Sequence, residues 1–167
     1  MGCDIHLFVD LEHDEGKIVN LSGYQLADIA RPYGLFAAIA GVRATPELSP
    51  LIPPRGLPPR ISDFVWNEFF VPVGNVQRGV SREDAIRGIN SDNLAWLYPP
   101  DDLKYVQNPL WHSTSFLTCA EVRACCEHTG YQLHDAGECF NDWLEIMRVL
   151  DDGFDPGATR MVFWFDN

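Results

Sequence analysis

Three observations predict an α+β fold, a mixed or antiparallel sheet with helices mainly on one face. The chain opens and closes on segments with strand character. Its long amphipathic segments lie between them. The order runs strands, helix, long loop, short strands, helices and final strand, without regular βαβ units. The two terminal segments are the most strand-like and are expected to be neighbours in the middle of the sheet.

Each element has its own warrant. In the opening segment Ile5, Leu7 and Val9 alternate with Asp4, His6 and Phe8, the period-2 pattern of a half-buried strand. Asp4 and His6 lean to one face and Cys3 to the other. A charged turn at residues 12–17 leads into a second strand through Lys17, Ile18 and Val19. Leu35, Phe36, Ile39 and Val42 mark a buried helix over residues 33–43 that starts after Pro32. Arg31 precedes this helix, where a cation opposes its dipole, and Arg43 leaves its end. Residues 44–62 carry six prolines and so form neither helix nor central strand. Leu48, Leu51, Ile52 and Leu57 make this a packed loop rather than a linker, with Arg55 presented from a stiff turn at Gly56.

Phe64-Val65-Trp66 and the run from Phe69 to Val73 read as strands. Ser81 caps a short helix to Gly88, a helical turn follows over residues 91–98, and residues 101–111 read as polar loop. Thr118 and Glu121 make a capping box, so the polar run His112-Ser113-Thr114-Ser115 lies just before a helix that ends near His128. Residues 138–151 form the longest helix, with Phe140, Trp143, Leu144, Met147 and Leu150 on one stripe. The closing strand covers residues 160–165.

A single globular domain, residues 1–167, accounts for the length. No apolar run approaches the ~20 residues of a membrane span, and no signal peptide is visible. A cytoplasmic protein without membrane partners is therefore expected. The five cysteines, with no CxxC spacing, read as reduced thiols. Adjacent Cys125 and Cys126 fall in a helix and read as packing residues. A net charge of −12 opposes direct nucleic-acid binding, which needs a basic surface. Lys17 and Lys104 are the only lysines, and the arginines that make up the other cations suit bidentate anion contacts.

Cys3, Asp4, His6 and His112 are metal-type ligands, but no HExxH, HxH or CxxC spacing makes them converge, so neither metal nor cofactor is expected. His112-Ser113-Thr114 fits the His-x-Thr element of two-histidine phosphoesterases, of which a second copy is missing. More of the chain points to an anion pocket. Arg43, Arg55, Ser113 and Ser115 supply phosphate ligands, and Tyr33 and Trp111 supply stacking surfaces. The expected function is binding of a small phosphorylated, nucleotide-like ligand. One alternative is a nucleotide-cleaving hydrolase with His6 or His112 as acid or base and Asp4 as orienting carboxylate. Another is an acidic interaction protein or nucleic-acid mimic.

Five stretches together resemble a group of small phage and prophage proteins. They are the start Met1-Gly2-Cys3-Asp4-Ile5-His6, the run Tyr33-Gly34-Leu35-Phe36 with Ala40-Gly41-Val42-Arg43, the loop Pro54-Arg55-Gly56-Leu57-Pro58, the segment from His112 to Thr118, and the end Val162-Phe163-Trp164-Phe165-Asp166-Asn167. Ala44 and Phe116 depart from the pattern, which has Asn and Trp there. The resemblance implies a phage origin and, by that context, a role against host defence signalling; it brings no activity.

Large aromatics on both faces of the closing strand need cover on both sides. With three helices able to cover one face, Trp66, Phe69 and Phe70 are expected to drive a homodimer.

Overall fold

The structure, a computed structural model, describes residues 3–14, 16–23, 32–74, 77, 79–91, 103–131 and 138–166. Arg31 and, apart from Ser91, the turn expected at residues 91–98 lie outside these.

The centre of the fold is the pairing of the two terminal strands. β1 (Asp4–His13) runs antiparallel to β6 (Thr159–Asp166), in register from Asp4↔Asp166 to Leu11↔Thr159. β2 (Lys17–Asn20) forms a hairpin with the far half of β1, and β5 (His112–Leu117) flanks β6, giving the antiparallel order β2-β1-β6-β5. The composition of β6 explains its central place. Met161, Phe163 and Phe165 point to one face, Val162 and Trp164 to the other, and all five are buried. A strand that is apolar on both sides is stable only where both faces are covered.

One face is covered by α1 (Tyr33–Ala40), α4 (Cys119–Thr129) and α5 (Glu138–Gly153). Ile5, Leu7 and Val9 meet Phe36, Val122, Phe140 and Met147 there. Helix α1 stops at Ala40, short of the expected end at residue 43, because Gly41 turns left-handed at φ 68° and closes the helix onto the Ala37 and Phe36 carbonyls. The capping box forms as read: Thr118 Oγ1 accepts from the Glu121 N–H, and the Glu121 side chain accepts from the Thr118 N–H. The proline-rich loop is packed in part: Ile52 and Leu57 lie against the core, while Leu51 is exposed. Leu51 N–H donates to the Ala38 carbonyl at 2.9 Å, and Gly56 N–H donates to the Thr114 carbonyl at 3.0 Å.

The other face corrects the sequence expectation. Residues 64–66 are helical, within α2 (Asp63–Phe69), and only β3 (Phe70–Pro72) is strand. Ser62 caps α2 by accepting from the Val65 N–H, and Val65 and Phe69, one turn apart, bury against Phe8, Val162 and Trp164. An N-cap followed by an i, i+4 apolar pair outweighs the β-propensity of Phe, Val and Trp. After α3 (Arg82–Ile89), capped by Ser81 as read, the expected polar loop contains β4 (Tyr105–Gln107), which pairs with β3. The aromatics expected to seek a partner subunit are thus covered within the chain. Phe69 and Phe70 are buried, and Trp66 packs on Phe70 at 4.2 Å. Phe69 and Phe70 therefore give no argument for a homodimer, and Trp66 is half-buried. No helix among the described residues is long and apolar enough to cross a membrane.

Candidate functional site

The register places the start of β1, the end of β6 and the start of β5 at one end of the sheet: His6 lies opposite Trp164, and His112 opposite Phe165. Strand alternation then sorts their side chains. His6 shares a face with Trp164, which its ring stacks on at 5.8 Å. His112 shares the opposite face with Phe165, which its ring stacks on at 6.1 Å. The two histidines stand on neighbouring strands either side of β6, but the sheet separates their rings.

On the first face His6 Nε2 donates to Asp166 Oδ2 at 2.9 Å. Trp111 lies 5.4 Å from the His6 ring and 5.0 Å from the Trp164 ring. The imidazole is therefore oriented by a carboxylate and flanked by two indoles. Asp4, expected to orient His6, is exposed and sits in register with Asp166. Asp166 was missed as a site residue. Pairing of the termini was the signal for it, but register decides which terminal carboxylate reaches the ring.

On the second face His112 Nδ1 lies 3.0 Å from Ser113 Oγ, while Nε2 is buried without a hydrogen-bond partner. Nδ1 donates to the hydroxyl in one tautomer of the neutral ring and accepts from it in the other. Ser113 sits at a β-bulge with φ 52°, between two residues whose side chains keep to the Phe165 and Phe163 side. On the same face Phe36 packs on Phe165 at 4.9 Å and meets Tyr33 at 6.1 Å. The exposed Arg43 guanidinium lies 4.7 Å over the Tyr33 ring.

Arg55 is turned away from both clusters. Its Nη1 and Nη2 donate to the two Glu121 oxygens at 3.0 and 2.8 Å, and its guanidinium covers the Phe116 ring at 4.4 Å. Its backbone N–H donates to Ser115 Oγ, which is fully buried. Burial works to raise the Glu121 carboxyl, but the hydrogen bonds from Arg55 and from the Thr118 backbone outweigh it and hold the group below its ordinary range. Arg55 and Ser115 thus tie the loop to β5 and α4.

Among the described residues no group of His, Cys, Asp or Glu is arranged to hold a metal ion. A cleft of about 450 Å³ opens beside Cys119, Arg123, Arg148 and Asp152, away from the predicted site residues. Its arginines already pair with Glu145 and Asp152. Buried Cys125 and Cys126 are thiols whose pKa burial pushes up to about 11, consistent with packing residues.

No protein-family model, curated protein or solved structure matches this chain.

Proposed function

We propose that this protein binds a small phosphorylated, nucleotide-like ligand at the sheet end that carries His6, Trp111 and His112. The observation that carries this reading is the ring array there. Half-buried Trp111 packs against His6 and Trp164, so three aromatic rings gather at one place that suits a planar ring. Around the same end, Arg43 and the Ser113 hydroxyl supply phosphate partners, while Arg55 is committed to Glu121. A ligand with its ring at Trp111 would reach round the sheet end to bring its phosphate to the Arg43 side, away from the carboxylates of Asp4 and Asp166. The resemblance to small phage proteins adds that the ligand is a host defence signal.

Titration with nucleoside mono- and diphosphates, followed by tryptophan fluorescence, tests binding. Recovery of the intact nucleotide after denaturation supports a binder. The hydrolase reading is favoured by one observation, the His6–Asp166 pair, since a carboxylate on one imidazole nitrogen fixes its tautomer for proton transfer. Products released at a rate abolished in His6→Gln would establish it.

A further inference from the structure

We infer that the slot filled by the Trp111 indole is a subsite for a nucleobase-like heteroaromatic ring, with Trp111 acting as a plug that the ring displaces. The inference rests on the nucleotide-like reading and assigns where the ring of that ligand goes.

The slot is walled by rings: His6 at 5.4 Å, Phe69 at 5.8 Å and Trp164 at 5.0 Å from the indole. None lies flat on it; the interplanar angles are 43°, 40° and 33°. Two polar atoms in this neighbourhood are left unsatisfied. Trp164 Nε1 and Gln107 Oε1 belong to side chains with 0% exposure, and neither has a hydrogen-bond partner. Buried polar groups are normally paired, and an orphan in a native fold calls for an explanation. The two side chains that carry them both contact Trp111. The indole of Trp164 packs on it, and Gln107 Nε2 donates to its backbone carbonyl at 2.7 Å. One orphan is a donor and the other an acceptor. A nucleobase edge carries an acceptor beside a donor, which the indole of Trp111, with its single N–H, does not.

The turn that carries the plug lies at the surface. Trp111 N–H donates to the Asn108 carbonyl at 3.1 Å, and the neighbouring Leu110 is 73% exposed. If the turn swings out, the Gln107 amide is released from the Trp111 carbonyl and offers both its donor and its acceptor to the incoming ring. Flat stacking against His6 and Trp164 would accompany those bonds.

The test uses the full chain with adenosine, cytidine and the matching monophosphates as probes, read by calorimetry. Trp111→Ala removes the plug and is expected to tighten nucleoside binding about tenfold. Gln107→Leu and Trp164→Phe, each in the Trp111→Ala background, are expected to weaken it by roughly two- to tenfold. Trp164→Phe keeps an aromatic ring but removes the pyrrole part with its N–H; Gln107→Leu, close in volume, stands in should it fail to fold. Acrylamide quenching of wild type should rise on addition of AMP as Trp111 is released. If monophosphates bind wild type but the substitutions leave affinity unchanged and quenching does not rise, the subsite is overturned and the nucleotide reading survives. If no nucleoside or nucleotide binds wild type or Trp111→Ala, both fall.

Discussion

Asp10 and Ser62, fifty-two positions apart, are joined by two hydrogen bonds inside the protein. Ser62 N–H donates to Asp10 Oδ2 at 3.0 Å, and Ser62 Oγ–H donates to Oδ1 at 2.8 Å. Asn20 Nδ2 adds a third bond to the carboxylate at 3.0 Å. The same Ser62 caps α2, so one buried carboxylate fastens the end of the proline-rich loop, the start of α2 and the β1–β2 hairpin together.

Asp10→Ala leaves the two Ser62 donors buried without the carboxylate and is expected to cost about 2–3 kcal/mol of unfolding free energy. Asp10→Asn keeps one acceptor oxygen and is expected to lose less. Urea denaturation measures both. A loss under 0.5 kcal/mol for Asp10→Ala, below the cost of a typical lost hydrogen bond, would mean that water replaces the carboxylate.

Arg55 and Arg43 should separate in their effects. Arg55→Ala removes a partly exposed bidentate pair and its cover of Phe116, and is expected to lower stability by about 1 kcal/mol while leaving nucleotide affinity unchanged. Arg43→Ala is expected to weaken nucleotide binding with little change in melting temperature. Equal loss of affinity in both variants would return Arg55 to the ligand site.

Glu121 gives a pH signature with a definite sign. Its carboxyl is held lower in the folded chain than in the unfolded one, through Arg55 and the Thr118 backbone against the opposing effect of burial. The stability it supplies is therefore complete above the unfolded value, roughly 4.3. It is lost as pH falls through the lowered folded value. Glu121→Gln should flatten the acid limb of a melting-temperature profile and leave the profile near neutrality parallel to wild type. An unchanged acid limb would show that the ion pair is absent in solution.

The cysteines should label in order of exposure and thiolate content. Cys139 is the one partly exposed thiol among the five. With burial lifting Cys125 and Cys126 to about 11, only ~0.1% of either is thiolate at pH 8. Iodoacetamide followed by mass spectrometry should modify Cys139 first, and the helical pair only after denaturant is added. Rapid labelling of Cys126 in the native chain would contradict this order.

Local patterns settled much of the fold. Alternation in the opening segment, the high β-propensity of the last, and the Thr118–Glu121 box were enough to place β1, β6 and the start of α4, because each depends on neighbours within a few residues. They also sufficed for the central pairing of the termini, since a strand apolar on both faces has nowhere else to go. They did not settle residues 63–73. There the side chains favour strand on propensity, and the helix is fixed by the Ser62 cap together with the burial of Val65 and Phe69 against Phe8 and Trp164 across the chain. The candidate site divides in the same way. Residue types nominated His6, His112, Arg43 and Arg55. Which face each occupies follows from register and from the bulge at Ser113, and which partner each takes depends on residues far away in sequence: Asp166 for His6, Glu121 for Arg55. A hydrogen bond acts over about 3 Å, and only the folded chain brings groups separated by 66 or 160 positions within that range.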